Sequence, residues 1–132
     1  MEFKKFDKSQ RSTFEYWMWH WLAFNYTACK LKAWKFKYLF HDIEKPWLRL
    51  WYLGNYAKVQ THHRTRNNHH LEYKGKKDWE AMVIDWECSR LTKKAAPRTA
   101  IGEANDKLLN NEMNYNDYCL FIRTANKLGL EK

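Results

Sequence analysis

Residues 14–46 read FEYWMWHWLAFNYTACKLKAWKFKYLFHDIEKP, and the fold turns on what this run becomes. From Phe14 to Phe40 it holds four Trp and neither Gly nor Pro. Its aromatic content would also suit a strand. Its length, and lysines at 30, 32, 35 and 37, favour one long helix or two successive helices. Ser12 or Thr13 is placed to cap the start, with Glu15 to assist. The run closes on His41-Asp42. Adjacent residues cannot share a helical face, so both reach one centre only where the helix ends or bends. Pro46 supplies a reason for it to do so. His41-Asp42 is therefore the expected centre of a metal site, with His20, between Trp19 and Trp21, upstream of it.

Downstream, PWLRLWYLGNYAKVQTHH suits a helix with Pro46 in its first turn. Trp47, Leu50, Trp51, Leu53 or Gly54, and Ala57 recur as its apolar stripe, and His62 and His63 close it. RTRNNHHLEYKGKKD follows, marked as a loop by Asn67-Asn68 and Gly75. It concentrates Arg64, Arg66, His69 and His70 where a loop can close over a ligand. Were it to stay helical, His63 and His70 would share a face, as would His62 and His69. Asp78 can cap WEAMVIDWECSRLTKK, whose stripe is Trp79, Met82, Val83 and Trp86. Asp85 falls near the buried edge and needs a partner there: a metal, or else a salt bridge or an exposed edge position. Pro97 breaks the chain. Thr99–Asn111 and Tyr115–Leu128 read as two short helices, with Gly129 as C-cap. Leu108, Leu109, Tyr118, Leu120, Phe121 and Ile122 are core candidates without a catalytic role. The expectation is an all-α, single-domain bundle of about five to seven helices over residues 1–132. Its metal-site core covers about 14–95 and its C-terminal helices 98–130.

The 132 residues suit one domain with a real core, 45% being hydrophobic and 17% aromatic. Cys29, Cys88 and Cys119 are an odd, scattered set without CxxC, which argues against a disulfide framework and a thiolate zinc site. Reduced, half-buried thiols are expected. The charged start MEFKKFDKSQRST is no signal peptide, and the lysines inside the most apolar run rule it out as one uninterrupted bilayer span. A cytoplasmic protein without a membrane partner is expected. The net charge of +9 suits anionic partners, although a solvated lysine-rich surface would give the same figure.

The candidates for metal chemistry are His20, His41, Asp42, one or more of His62, His63, His69 and His70, and Asp85. Imidazoles and carboxylates without thiolates suit Mn, Fe, Co, Ni, Zn or Mg. Asp42 could bridge two such ions, and the basic loop could neutralise a phosphate.

The order His, His-Asp, Asp on a helical framework resembles the HD-domain superfamily of metal-dependent phosphohydrolases, and HDIEK looks like its HD-x-x-K segment. HDIEK, HHRTRNNHHLEY and WEAMVIDW, in that order, resemble more closely the uncharacterised HD-like family DUF5662 of phages and bacteria. The resemblance covers roughly residues 15 to 95. Glu44, Leu71 and Ala81 depart from that family's Ser, Trp and Glu. The resemblance implies an HD-type bundle in which His20, His41, Asp42 and Asp85 bind the main ion. His63 and His70 would hold a second ion, with His62 and His69 as rivals or supporting donors. Asp42 and Lys45 would be catalytic. Lys45, Arg64, Arg66, Asn68, His62 and His69 would meet the substrate, a nucleotide or small phosphorylated metabolite. The implied reaction is hydrolysis of a phosphate ester or anhydride with one or two divalent ions, in a bacterial or phage-infected cell.

Two other readings compete. One is a catalytically idle metal-binding or interaction protein, and a homodimer through exposed aromatics is compatible with it. The other is a nucleic-acid-binding protein using its cations and aromatics. Against the latter, the Trp residues stand at core spacing and the histidines would go unused.

Overall fold

The structure, a computed structural model, describes residues 2–11, 13–52, 55–94 and 99–130. Among these residues it is all-α. The helices are α1 (Phe14–Lys30), α2 (Lys45–Trp51), α3 (Tyr56–Arg66), α4 (Trp79–Thr92), α5 (Ala100–Leu109) and α6 (Tyr115–Lys127). Short 3-10 turns lie at Lys8–Gln10 and Phe36–Phe40. No helix among the described residues is long and apolar enough to cross a membrane.

Side-chain oxygens start most of these helices. Thr13, Asn55, Asp78, Thr99 and Asn114 accept from Tyr16, Lys58, Ala81, Gly102 and Asp117 N–H respectively. Each satisfies one of the orphan donors of a first helical turn. The cap of α1 is Thr13, whose hydroxyl accepts from Tyr16 N–H at 3.1 Å; Ser12 lies outside the described residues, and Glu15 pairs with Lys4 at 2.6 Å. Gly129, at φ +89°, takes the left-handed backbone expected after α6.

Helix α4 is the axis of the fold, because both of its sides are covered. Met82 and Val83 join Ala100, Ile101, Ala104, Met113, Phe121 and Ala125 in one core. Ala81, Ile84 and Cys88 join Ala23, Phe24, Ala28 and Tyr38 in another. A helix apolar on both sides is a buried helix. Residues 81–85 are all buried, which takes Asp85 inside rather than to the edge. Two ties hold its C-terminal half. Phe6 is buried and exchanges backbone bonds with Thr92 O (2.7 Å) and Lys94 N–H (3.1 Å). Glu87, also buried, accepts from Ala100 N–H and Arg90 Nε, both at 2.9 Å, and so anchors the start of α5.

Several expectations need correction. The helix expected over 46–63 is two, because Asn55 caps a fresh start at Tyr56; Leu53 and Gly54 lie outside the described residues. The stripe of α2 points outward: Trp47, Leu50 and Trp51 are 70%, 70% and 79% exposed, while Leu48 is half-buried. Ala57 is exposed as well. Helix α3 runs on to Arg66, so Arg64 and Arg66 are helical rather than in a loop. Leu109 and Leu120 are exposed, because the inward faces of α5 and α6 are set by Ala100, Ile101 and Ala104 and by Phe121 and Ala125. The three thiols are free but differ: Cys29 is exposed, Cys88 buried and Cys119 intermediate.

Candidate metal centre and cleft

Asp42 is where the chain turns. Helix α1 ends at Lys30, a 3-10 turn ends at Phe40, and His41 leaves in an extended conformation. Asp42 then takes φ +55°, the left-handed region that few residues other than Gly, Asn and Asp adopt readily. Pro46 comes later, inside the first turn of α2. The bend that turns adjacent His41 and Asp42 into one centre is thus made at Asp42 itself. His41 is fixed by stacking on Phe24, with centroids 3.6 Å apart and planes at 11°.

Two groups of ligand-type side chains share this aspartate. In the first, His20, His41, Asp42 and Asp85 are all buried. His20 Nε2 lies 2.9 Å from Asp85 Oδ1, 3.4 Å from Asp42 Oδ2 and 3.2 Å from His41 Nε2. His41 Nε2 lies 3.3 Å from each of those two carboxylate oxygens. In the second, Asp42 joins His63, His69 and His70. Here the other oxygen, Oδ1, faces His63 Nε2 at 2.8 Å and His69 Nε2 at 3.0 Å. One carboxylate therefore serves both groups, Oδ2 towards the first and Oδ1 towards the second.

The donor set fits divalent ions. Ligands about 2.1 Å from a tetrahedral ion stand roughly 3.4 Å from one another, and three of the four nitrogen–oxygen separations given for the first group lie near that figure, while His20–Asp85, at 2.9 Å, is a hydrogen-bond contact. In the second group, the buried His63 Nε2 and His70 Nε2 have no hydrogen-bond partner among the described residues. His63 Nε2 still lies 2.8 Å from Asp42 Oδ1. Buried nitrogens left unpaired are costly unless something else meets their lone pairs.

The electrostatics agree. Burial alone would raise Asp42 and Asp85, yet the imidazoles around both, and Lys45 beside Asp42, hold their carboxyls well below the usual range. Burial pulls His20 down, but Cys88, Tyr16 and the two carboxylates raise it well above the ordinary imidazole value. A neutral thiol and phenol carry no full charge, so the carboxylates are the partners of that proton. Burial likewise opposes charge on His63, which Asp42 and Glu44 nevertheless raise. His41 is pushed down to about 4 and His70 to about 2, chiefly by burial. Protons on His20 and His63 mark positions where positive charge is stabilised, and a bound cation would replace them.

His20, Asp42, His70 and Asp85 form part of the wall of a cavity of about 690 Å³ between α1, α3, α4 and α5, while His41, His63 and His69 are not among its lining residues. Arg11, Lys45, Arg64, Lys93 and Lys107 bring cations to it, and Glu72 and Glu103 oppose them. Lys45 Nζ is 3.5 Å from Asp42 Oδ2. Arg11 Nε is buried without a hydrogen-bond partner among the described residues.

The structure thus brings His20, His41, Asp42, Lys45, His63, His70 and Asp85 together, and it places His69 inside the second group rather than with the substrate contacts. Arg64 lines the cavity. Arg66 and Asn68 are exposed and are not among its lining residues, and His62 faces the Tyr52 hydroxyl at 3.4 Å. Sequence reasoning missed Arg11, Lys93 and Lys107, which sit in segments without histidines. It also missed Glu44, whose carboxylate accepts from His63 Nδ1.

The fold and site define an all-α protein whose buried His/Asp groups can hold metal. Comparison with protein-family models, curated proteins and solved structures returns no match.

Proposed function

We propose that this chain is an HD-type, metal-dependent phosphohydrolase acting on a nucleotide or small phosphorylated metabolite. The observation that carries the proposal is the sharing of Asp42 between two His/Asp groups on the wall of a cation-lined cavity. His20, His41, Asp42 and Asp85 would hold one ion; Asp42, His63, His69 and His70 would hold a second. A divalent ion in such a place supplies Lewis-acid polarisation of a phosphoryl oxygen and makes water a stronger acid. The chain's own residues do the rest. Asp42 orients both ligand groups, and Lys45, close to it, meets phosphate charge. Arg11, Arg64, Lys93 and Lys107 also line the cavity and add to that positive field, Lys107 being 3.9 Å from Glu103. Such preorganised cations favour the charge that develops on phosphoryl oxygens in the transition state.

The test is metal analysis of the purified protein, followed by hydrolysis assays on nucleoside mono-, di- and triphosphates, cyclic nucleotides and sugar phosphates with Mn, Co and Mg. Stoichiometric metal and turnover that both disappear in His41→Ala and Asp42→Ala support the proposal. Metal without turnover on any phosphate favours an idle metal-binding domain. Absence of stoichiometric metal in the wild type removes the whole reading.

A second reading has a specific observation behind it. Phe36, Phe40, Trp47 and Trp51 are 68%, 53%, 70% and 79% exposed on a chain of net charge +9. This withdraws, for Trp47 and Trp51, the objection that the tryptophans stand at core spacing, while Trp79 and Trp86 do pack against the core. Exposed aromatics and cations are what single-stranded nucleic acid stacks and pairs on. Retained, salt-sensitive oligonucleotide binding by metal-free Asp42→Asn, lost in Trp47→Ala/Trp51→Ala, would favour this alternative.

A further inference from the structure

Among the described residues, His63 is the one histidine of the two groups whose Nδ1 meets a carboxylate. Glu44, the residue before α2, reaches across to the last turn of α3 and accepts there. Asn67, just past α3, donates from Nδ2 to Glu44 Oε1 at 2.8 Å and to His63 O at 2.7 Å. A carboxylate only accepts, so the proton of neutral His63 must sit on Nδ1. That leaves the Nε2 lone pair facing Asp42 Oδ1 and the second ligand group. The 3.2 Å approach of Asn67 Nδ2 to His63 Nδ1 is then a contact of two donors, brought about by their common acceptor.

We infer that Glu44 is the positioning residue of the three-histidine subsite: with Asn67 it fixes the tautomer and ring angle of His63 and makes that subsite bind its ion more tightly. The inference rests on the metal-centre reading above and goes beyond it in ranking the two subsites. Three physical points support it. His63 is fully buried, so a wrong tautomer could not be rescued by water. The negative Glu44 raises the basicity of the imidazole it holds, which strengthens a nitrogen ligand. The subsite it serves has three imidazoles and one carboxylate, a set suited to Zn, Co or Ni rather than Mg.

The test is Co(II) and Zn(II) titration of the chelator-stripped full chain, with stoichiometry and affinity from calorimetry and the Co(II) d–d spectrum as an independent readout. Wild type is expected to bind two ions of unequal affinity. Glu44→Ala should weaken one of them by about 10–100-fold and change its Co(II) spectrum, leaving the other ion unchanged. Glu44→Gln, whose amide oxygen can still accept the Nδ1 proton, should recover most of the loss. Asn67→Ala should weaken the same ion by a smaller factor. The weakened ion is assigned by His70→Ala, which should remove it, and by Asp85→Ala, which should spare it. Both ions bound as tightly in Glu44→Ala as in wild type, or a Gln variant no better than Ala, would overturn the inference while leaving the metal centre standing. So would a wild type with one ion that needs Asp85 but not His70. A wild type with no ion refutes the metal reading itself. If Glu44→Ala does not fold, the Gln and Asn67→Ala variants decide the matter.

Discussion

Asp42 carries two burdens that substitution can separate. Its carboxylate faces His20, His41, His63, His69 and Lys45, all within 3.5 Å. Its backbone holds φ +55°. Removing one member of a buried charged cluster costs roughly 3–5 kcal/mol, because the charges left behind lose their partner. The lower end applies here, since Asp85 still faces His20 and Glu44 still faces His63. Asp42→Asn keeps the shape and tolerates the left-handed backbone, so chelator-stripped protein should lose about 3 kcal/mol. That corresponds to roughly 12 °C in Tm for a domain of this size. Asp42→Gly removes the side chain without a left-handed penalty, at an entropic cost of about 0.5–1 kcal/mol from the freer unfolded chain. Asp42→Ala adds the left-handed cost of about 1–2 kcal/mol and should be the least stable of the three. Urea unfolding of all three in chelator, at one pH near 7, gives the order. An Asn variant within about 1 kcal/mol of wild type would show that the carboxylate is not partnering its neighbours. An Ala variant as stable as Gly would falsify the claim that the turn depends on φ at Asp42.

Three further outcomes follow from the packing and the surface. Glu87→Ala should destabilise by about 2 kcal/mol, since a buried acceptor of the Ala100 N–H is lost, with Glu87→Gln recovering part of it; thermal unfolding checks both. Burial would raise Asp78, but the bond from Lys37 Nζ at 2.6 Å and the cap bond from Ala81 hold its carboxyl below the usual range. A lowered folded pKa gives stability that is present above about pH 4 and lost as pH falls through the folded value. Lys37→Met should therefore cost no more than about 1 kcal/mol at neutral pH, Lys37 being half exposed, and the difference from wild type should shrink below pH 4 in urea melts. Trp47→Ala and Trp51→Ala should each change stability by less than about 0.5 kcal/mol, against roughly 3–5 kcal/mol for a tryptophan in the core.

Much of the architecture was legible because its signals are local. Asp78 and Gly129 announce helix ends through their own side chain or lack of one, while the break expected at Pro97 lies outside the described residues. The residue types of the site were legible for a similar reason: His20, His41-Asp42 and Asp85 stand out in segments that are otherwise apolar. Periodicity, by contrast, shows that a helix has an apolar face but not which way that face turns. Helix α2 is seven residues long, and the same pattern that buries Met82 and Val83 on α4 leaves Trp47, Leu50 and Trp51 exposed. Likewise, Asn67-Asn68 marks the loop, but nothing in RNNHH says that the chain folds back there so that His69, and not only His70, joins Asp42.

The cavity cations show the deepest limit. Arg11, Lys93 and Lys107 come from the N-terminal segment, the end of α4 and the last turn of α5. No spacing links them, and each looks like a solvated surface charge among the 24 Lys and Arg of the chain. Arg11 belongs to a segment held against the end of α4, beside Lys93, by the buried Phe6, whose backbone pairs with Thr92 and Lys94. The placement of Arg11 therefore depends on a phenylalanine with no chemistry of its own. Phe6→Ala would be expected to loosen that segment, at a cost of about 3–5 kcal/mol for a buried Phe, and to lower affinity for inorganic phosphate without reducing metal stoichiometry. Unchanged phosphate binding in a folded Phe6→Ala protein would separate Arg11 from the anion site.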